Sequence, residues 1–344
     1  MKFPTRRAVT AGLAGIATAA LLTACSGGSA ASTDSKAKMP SKMTTIKVAI
    51  NPSAQFASLY YGVEQGIFTK HNLKLDIIPQ PDIAQTVAGL ASGTYDLGQT
   101  TPIHVVAAAA NGIQIQEVST VEGRLGDKDQ GTTIAASKAS GITNVKDLAG
   151  KKVATVGLTS NNTYATDALV DQAGGDWKSI KYVQLPFGQM VAALQNGDVD
   201  AAIMQSPFID QAVADGATKI GYPNFLYGDK ATTVFDASAS YISKHPDVVQ
   251  AFSDSMIQSI QAANANETAA SDSLIDGLKY TKEQAEGAKR NEGGVPCLNI
   301  GGLETAQKLL TEYGGQKQKV DVKKLIWSGA TAYPASACKP TASK

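Results

Sequence analysis

The chain has 344 residues, 43% hydrophobic and 18% charged, with 31 basic and 30 acidic side chains. That is ordinary globular composition, long enough for two core-forming units, and it argues against a single small domain. No basic stripe or Lys/Arg run occurs beyond the first residues, which argues against a nucleic-acid partner.

Lys2, Arg6 and Arg7 charge the start of the chain, and Ala8 to Leu22 is a run of 15 uncharged, mostly apolar residues. Such a run is too short to span a bilayer comfortably, so residues 1–24 are expected to form a signal peptide. Its last residues, Leu22-Thr23-Ala24, precede Cys25. That ending resembles the lipobox of bacterial lipoproteins, whose Cys thiol receives diacylglycerol and becomes the new N-terminus. It implies a palmitate-type lipid anchor on the extracytoplasmic face of the cell membrane, held by about 0.8 kcal/mol per buried methylene. A buried structural Cys is the alternative. Arg6-Arg7 also resembles a twin-arginine export signal, but paired arginines occur in Sec signals too, so the route stays open. Removing Lys2, Arg6 and Arg7 leaves 28 basic against 30 acidic residues, a charge of −2.

Ser26 to Thr44 holds almost no large apolar side chain and cannot bury enough surface to fold. Residues 25–44 are therefore expected to be the lipidated Cys and a flexible tether. Folding starts near Thr45.

From there the chain repeats itself imperfectly. Val87-Ala88-x-Leu90-x-x-Gly93-x-x-Asp96 matches Val191-Ala192-x-Leu194-x-x-Gly197-x-x-Asp200 at an offset of 104, and Pro102 and Pro207 follow. Lys47-Val48-Ala49 parallels Lys152-Val153-Ala154, and Val63 with Pro79 parallels Val170 with Pro186. Each copy predicts a strand (Ile46 to Ile50; Lys152 to Val156), a helix stopping at Gly66 or Gly174, and a second strand (Leu73 to Ile78; Ile180 to Leu185). A helix with apolar residues at Ile83, Val87 and Leu90, or its counterpart, comes next. A third strand (around Leu97; Asp200 to Met204) and a Pro-bounded turn into another helix complete the unit. That β-α-β-α-β order predicts an α/β fold of two lobes, each a mostly parallel sheet with helices on both faces. Beyond the second copy, Thr232 to Tyr241 reads as β-rich, and His245 to Arg290 and Gly302 to Tyr313 as helical. This remainder is expected to return to the first lobe, a third small helical domain being the alternative. The expected lobes are 45–134 with 238–344, and 135–237.

Cys297 and Cys338 form an even pair in an exported chain, so a disulfide is expected to pin the C-terminal tail. Closing a loop of about 40 residues is worth roughly 4 kcal/mol in the chain-entropy model. A redox or metal site would need a C-x-x-C or Cys/His cluster, which the sequence lacks.

No G-x-S-x-G, H-E-x-x-H, P-loop or dinucleotide glycine motif is present. His71, His104 and His245 lack ligand spacing, so no metal or cofactor is expected, and His104 could face a cleft or be structural. Ligands of open parallel sheets bind at strand carboxyl ends. The loops there carry uncharged hydrogen-bonding groups: Asn51, Ser53 and Gln55; Gln99, Thr100 and Thr101; Thr159, Ser160, Asn161, Asn162 and Thr163; Gln205 and Ser206. Helix starts at Thr101 and Asn161 would add backbone N–H groups and the positive end of a dipole. Each Ser, Thr or Asn could instead be an ordinary N-cap; their recurrence at repeated positions is the argument for a site. Phe56, Tyr60, Tyr61, Tyr164, Phe187 and Phe208 flank the same loops. The loops contain no Lys or Arg, Arg124 being the nearest cation by position. A doubly charged ligand is therefore disfavoured against a singly charged or neutral one.

Phe56-x-x-Leu59-Tyr60-Tyr61-Gly62-Val63-Glu64-Gln65-Gly66-Ile67-Phe68, Gly93-x-x-Asp96-Leu97-Gly98, Val145-Lys146-Asp147-Leu148-Ala149-Gly150-Lys151-Lys152-Val153-Ala154 and Leu194-x-x-Gly197-x-Val199-Asp200-Ala201 are quoted from both lobes. Together they resemble the nitrate/sulfonate/taurine and thiamine-pyrimidine class of ABC-importer binding proteins, over residues 46 to 255. The resemblance implies a two-lobed type II periplasmic-binding-protein fold with mixed sheets and a ligand cleft between the lobes. It also implies a monomer that closes on its solute by hinge motion and works with a permease and an ATPase. The hinge is expected near Thr133 to Ser137 and Phe235 to Ser238. Ligand contacts carry over to Ser53 to Gln55, Thr100 to Thr101, Ser160 to Thr163 and Gln205 to Ser206, with Tyr60 beside them. A departure is the missing cation in these loops, which weakens the implication of a sulfonate. Fungal pyrimidine synthases share the fold, but their clustered Cys/His motif has no counterpart here, so an enzyme is not expected. A ligand sensor for a membrane receptor would look the same in sequence.

Overall fold

The computed structural model describes residues 39–122, 131–227, 232–288, 298 and 300–332. The signal peptide, Cys25, Arg124, Cys297 and Cys338 lie outside the described residues.

The strands are β1 (Thr44–Ile50), β2 (Leu73–Pro79), β3 (Leu97–Thr100), β4 (Ile115–Glu122) and β5 (Thr133–Ala136), then β6 (Lys152–Thr155), β7 (Lys181–Gln184), β8 (Ala201–Met204), β9 (Thr218–Gly221) and β10 (Thr233–Ser238). The helices are α1 (Ala57–Glu64), α2 (Ile67–Lys70), α3 (Ile83–Ser92), α4 (Pro102–Ala110), α5 (Asn161–Gln172) and α6 (Phe187–Asn196). They continue with α7 (Phe208–Ala214), α8 (Ala239–Lys244), α9 (Pro246–Ala265), α10 (Glu267–Leu278), α11 (Lys282–Ala288) and α12 (Ile300–Glu312). Among the described residues, no helix is long and apolar enough to cross a membrane.

Two five-stranded sheets carry the fold, in the orders β2-β1-β3-β10-β4 and β7-β6-β8-β5-β9. In each, the first three strands are parallel and the other two antiparallel to their neighbours. The mixed, two-lobed α/β architecture is therefore present, each sheet gaining two strands that the repeat did not predict. In both sheets the fourth strand lies next to a chain crossing: β5 enters the second sheet immediately after the first crossing, and β10 enters the first sheet immediately after the second.

This placement moves the expected boundaries. Thr133 to Ala136 pairs with Met204 to Ala201, so β5 belongs wholly to the second sheet. Val234 to Asp236 pairs with Thr100 to Gly98, so β10 belongs to the first. The stretches expected to be hinges are hydrogen-bonded strands. The crossings run between Glu122 and Thr133 and between Gly221 and Thr233.

The repeat has a structural cause. Gly93 and Gly197 end α3 and α6 in the left-handed region, with φ 77° and 76°, where a side chain would be strained. Three residues later each copy places an aspartate. Asp96 Oδ2 accepts from the Lys47 backbone N–H, and Asp200 Oδ2 from that of Lys152, both at 2.8 Å. The aspartate N–H groups return bonds to Lys47 O and Lys152 O at 3.0 and 2.9 Å. Each pair ties the entry of the third strand to the first strand, at the middle of β1 and at the start of β6. The motif thus fixes the sheet at the end opposite the loops that follow the strands.

α1 and α9 cover one face of the first sheet, with Ile46, Val48, Phe56, Leu59, Val249, Phe252 and Met256 in one core. Close approach explains a glycine in the Tyr-Tyr-Gly motif: a Cβ on Gly62 would stand 1.9 Å from Ser259 Oγ. α3, α4 and α12 cover the other face, and this second core takes in Ala165 and Ala168 of α5 beside Leu303, Ala306 and Leu309. The lobes therefore share a core at one side. Tyr313 adds a bond from its hydroxyl to Asp171 Oδ2 at 2.9 Å and an edge contact with Trp177 at 5.1 Å.

One feature of the first sheet is electrostatically costly. Glu117 on β4 and Asp236 on β10 face each other in register, 2% and 0% exposed. Glu117 Oε1 and Asp236 Oδ1 have no hydrogen-bond partner, while Thr100 Oγ1 donates to Asp236 Oδ2. Burial raises both carboxyls, Asp236 to about 7, and the neighbouring Asp236 carboxylate pushes Glu117 further up; the Thr100 bond opposes the shift at Asp236. Buried charges without a counter-ion are unfavourable, so protonation stabilises the pair.

Two predictions follow from these contacts. Asp96→Ala and Asp200→Ala each remove a charge-assisted bond and should lower the unfolding free energy by about 1–2 kcal/mol in urea titrations, with Asn at either position restoring part of it. Because the folded-state pKa values lie above those of the unfolded chain, the stabilisation from this pair is complete below about pH 4 and declines as pH rises through about 7. Thermal melts from pH 4.5 to 8.5, roughly spanning that window, should show the wild type losing stability toward alkaline pH and Asp236→Asn losing less.

Candidate functional site

The carboxyl ends of β1, β3, β6 and β8 and the two crossings border one cleft between the sheets. Its space is about 50 Å3, enough for a group of one or two waters' size and far below the several hundred Å3 of a typical ligand pocket. Gln55, Thr101, Ser160, Asn161, Asn162 and Gln205 line it, so six of the predicted ligand residues converge. Asn51, Gln99 and Phe187, singled out beside those loops, line it as well.

The lining is held by its own hydrogen bonds. The Asn51 backbone N–H donates to Gln99 Oε1 at 3.1 Å, and Thr233 Oγ1 donates to Gln55 Oε1 at 3.0 Å. Tyr227 donates its hydroxyl to Asn161 Oδ1, and burial pushes the phenol pKa well up, keeping it a donor. Ser160 caps α5 by accepting from Thr163 N–H at 3.2 Å, which orders the first turn beneath Asn161 and Asn162. Phe187 stacks on Phe208 at 5.9 Å and 17° and presents an aromatic wall.

The other predicted residues lie outside the lining. Tyr60 packs its ring on α10, where a Cβ on Gly277 would lie 2.3 Å from Tyr60 Cδ1. Thr100 is buried and spends its hydroxyl on Asp236. Thr163 donates to Gly157 O at 2.7 Å, and Ser206 to Asp210 Oδ2 at 2.7 Å. Ser53 is 1% exposed, and its Oγ has no partner. None of these five is in the lining. Polar residues after a strand have two uses, facing the cleft or capping the next turn, and sequence spacing does not separate them.

The crossings supply what sequence reading missed. Thr132 precedes β5, Asn224 follows β9, and Thr232 and Thr233 lead into β10; all four line the cleft. Asn224 Nδ2 donates to Thr132 Oγ1 at 3.2 Å, tying the crossings together. Their position depends on long-range strand exchange, which leaves no local pattern.

Among the described residues no Asp, Glu, Lys, Arg or His lines the cleft. Ile83, Thr101, Asn161 and Phe187 place the first turns of α3, α4, α5 and α6 at its wall. The first turns of α4, α5 and α6 hold no acidic residue and bring positive partial charge to one small space, suiting a singly charged or strongly polar acceptor; at α3 the Asp82 carboxylate already accepts from the Ala84 and Gln85 N–H groups. Among the described residues there is no cluster of three or more His, Cys, Asp or Glu able to hold a metal.

Comparison with known proteins agrees with this architecture. The taurine-binding periplasmic protein of Escherichia coli is 28% identical over 188 residues, covering 53% of this chain and 55% of that protein. The match therefore spans about half of that relative's length. A Bacillus subtilis protein named for binding aliphatic sulfonates is 24% identical across 88% of this chain and 89% of its own. A 4-amino-5-hydroxymethyl-2-methylpyrimidine phosphate synthase from Legionella pneumophila is 30% identical, but over only 35% of this chain and 36% of the enzyme. The solved alkanesulfonate-binding protein SsuA of Xanthomonas axonopodis pv. citri, bound to MOPS, superposes with a TM-score of 0.69 at 19% identity, covering 84% of this chain and 99% of that one. That likeness shows a shared periplasmic-binding-protein fold. The family described as NMT1/THI5 like matches residues 53–270, and the chain belongs to it.

Proposed function

We propose that the protein is the extracytoplasmic solute-binding component of an ABC importer, capturing a small polar or singly anionic organic solute between its lobes. The observation that carries this reading is the cleft itself, uncharged among its described lining residues and walled by the first turns of four helices. Amide and hydroxyl groups there offer donors and acceptors, and the helix ends favour a negative or strongly electronegative group. The absence of a charged lining side chain among the described residues weighs against doubly charged sulfate or phosphate. The Bacillus subtilis relative named for sulfonate binding is matched over 89% of its length at 24% identity, whereas the two synthase likenesses cover 36% and 58% of those enzymes. Both support binding over catalysis.

Further parts of the reading rest on sequence. Cys25 carries the lipid anchor, residues 26–44 are the tether, and a Cys297–Cys338 disulfide closes the tail. The protein acts as a monomer whose lobes close about the two crossings and present the closed form to a permease and ATPase. Gln55, Asn162 and Gln205, half-buried at the lining, make the polar contacts with the solute.

Thermal unfolding against a panel of sulfonates, nitrate, aromatic carboxylates, amino acids and pyrimidine or thiamine precursors tests this reading. A true ligand at a hundred times its dissociation constant adds about 2.7 kcal/mol and should raise the midpoint by about 5 °C. Asn162→Trp and Gln205→Trp should abolish the shift with little change in the unliganded midpoint. No saturable shift from any class, with the protein folded and free of copurified ligand, would count against the reading. Pyrimidines alone giving the shift would move the cargo to thiamine precursors. Intact mass should fall by about 2 Da relative to the reduced chain if the Cys297–Cys338 bridge forms.

A further inference from the structure

The side-chain amides that line the cleft differ in the atom they leave over. Gln99 Oε1 accepts from the Asn51 backbone N–H, a group that can only donate, which fixes which amide atom is the oxygen. Gln55 Oε1 accepts from Thr233 Oγ1, and Asn161 Oδ1 from the Tyr227 hydroxyl. In all three the oxygen is spent within the protein, and among the described residues no acceptor takes the NH2 group. These residues therefore add donors to a space that the first turns of α4, α5 and α6 already make favourable to acceptor atoms.

Asn224 has the opposite polarity. Its Nδ2 donates to Thr132 Oγ1 at 3.2 Å, and its Oδ1 has no hydrogen-bond partner among the described residues. Asn224 and Thr132 both line the cleft, and each is 5% exposed. A buried acceptor left without a partner costs more than an ordinary hydrogen bond contributes, so a donor entering the cleft gains by reaching this oxygen.

The space and the charge of the wall narrow the kind of donor. A cleft of about 50 Å3 holds a group of one or two waters' size, so acceptor and donor must lie close together on one head group. Among the described residues no Asp or Glu lines the cleft, so an ammonium donor would meet no carboxylate in the wall, whereas a hydroxyl needs none. Resting on the solute-binding reading above, we propose that Asn224 is a specificity-determining residue whose side-chain oxygen accepts a hydrogen bond from a hydroxyl beside the anionic head of the solute. The solute class is then a hydroxylated monoanion, with 2-hydroxycarboxylates as its simplest members, rather than an anion whose polar atoms are all acceptors.

Isothermal titration of the purified protein, produced from the full reading frame, tests this with two pairs matched in charge and size, a methyl replacing the hydroxyl in each: lactate against 2-methylpropanoate, and 2-hydroxyethanesulfonate against propanesulfonate. In at least one pair the hydroxyl member should bind about tenfold or more tightly. Asn224→Leu and Asn224→Ala should each bring that ratio to about one. A residue that only braces the crossings would weaken both members alike and leave the ratio standing. Equal affinity within both pairs, as a water on Asn224 Oδ1 would produce, or a ratio that survives both substitutions, overturns the role of Asn224 while leaving solute binding intact. Failure of all four probes to bind the folded protein overturns the hydroxylated-monoanion class together with the anionic-head reading on which it rests.

Discussion

Each sheet is completed by a strand that stands next to a passage between the sheets. β5 pairs with β8 only after the chain has left the first sheet, and β10 pairs with β3 only after it has left the second. The antiparallel bonds of these strands, rather than the parallel units alone, fix where the crossings lie. Everything at the cleft depends on that exchange, because Thr132, Asn224, Thr232 and Thr233 reach the lining through it. A chain built of two independent β-α-β-α-β units would bring the same loops to two separate sheet ends, with no shared wall.

The electrostatic design divides between cleft and sheet. Among the described residues at the cleft, polarity comes from amides, hydroxyls and helix ends, which keep their dipoles across a wide pH range. Inside the first sheet, Glu117 and Asp236 are held without a described cation, and Thr100 stands between this pair and the cleft-lining Thr101. The hydroxyl that sequence reading gave to the ligand is committed inward instead. Asp167 on α5 is also raised, to about 6, chiefly by burial and against the bond from Tyr182. Both lobes therefore hold carboxyls whose loss of protons costs stability as pH rises.

Much of the scaffold was legible because it is local. Apolar runs marked β1, β2 and β7, and the glycine stops marked the ends of α3 and α6. The repeated Gly-x-x-Asp announced a duplicated scaffold, and the paired bonds of Asp96 and Asp200 supply its reason. β5 and β9 escaped notice because four residues such as Thr-Ile-Ala-Ala or Thr-Lys-Ile-Gly carry no period to detect. β4 escaped because Glu117, a buried acid, interrupts its apolar face. Gln55, Thr101, Ser160, Asn161, Asn162 and Gln205 reach the cleft lining from positions after a strand, while Tyr60, Thr163 and Ser206, at like positions, do not line it and make contacts elsewhere.

The described ends of the crossings, Thr132, Asn224, Thr232 and Thr233, belong both to the connection between the sheets and to the cleft lining, and this sets the geometry of any motion between the lobes. A seven-residue strand such as β1 is roughly 20 Å long, so a rotation of about 10° at its foot displaces its far end by roughly 4 Å.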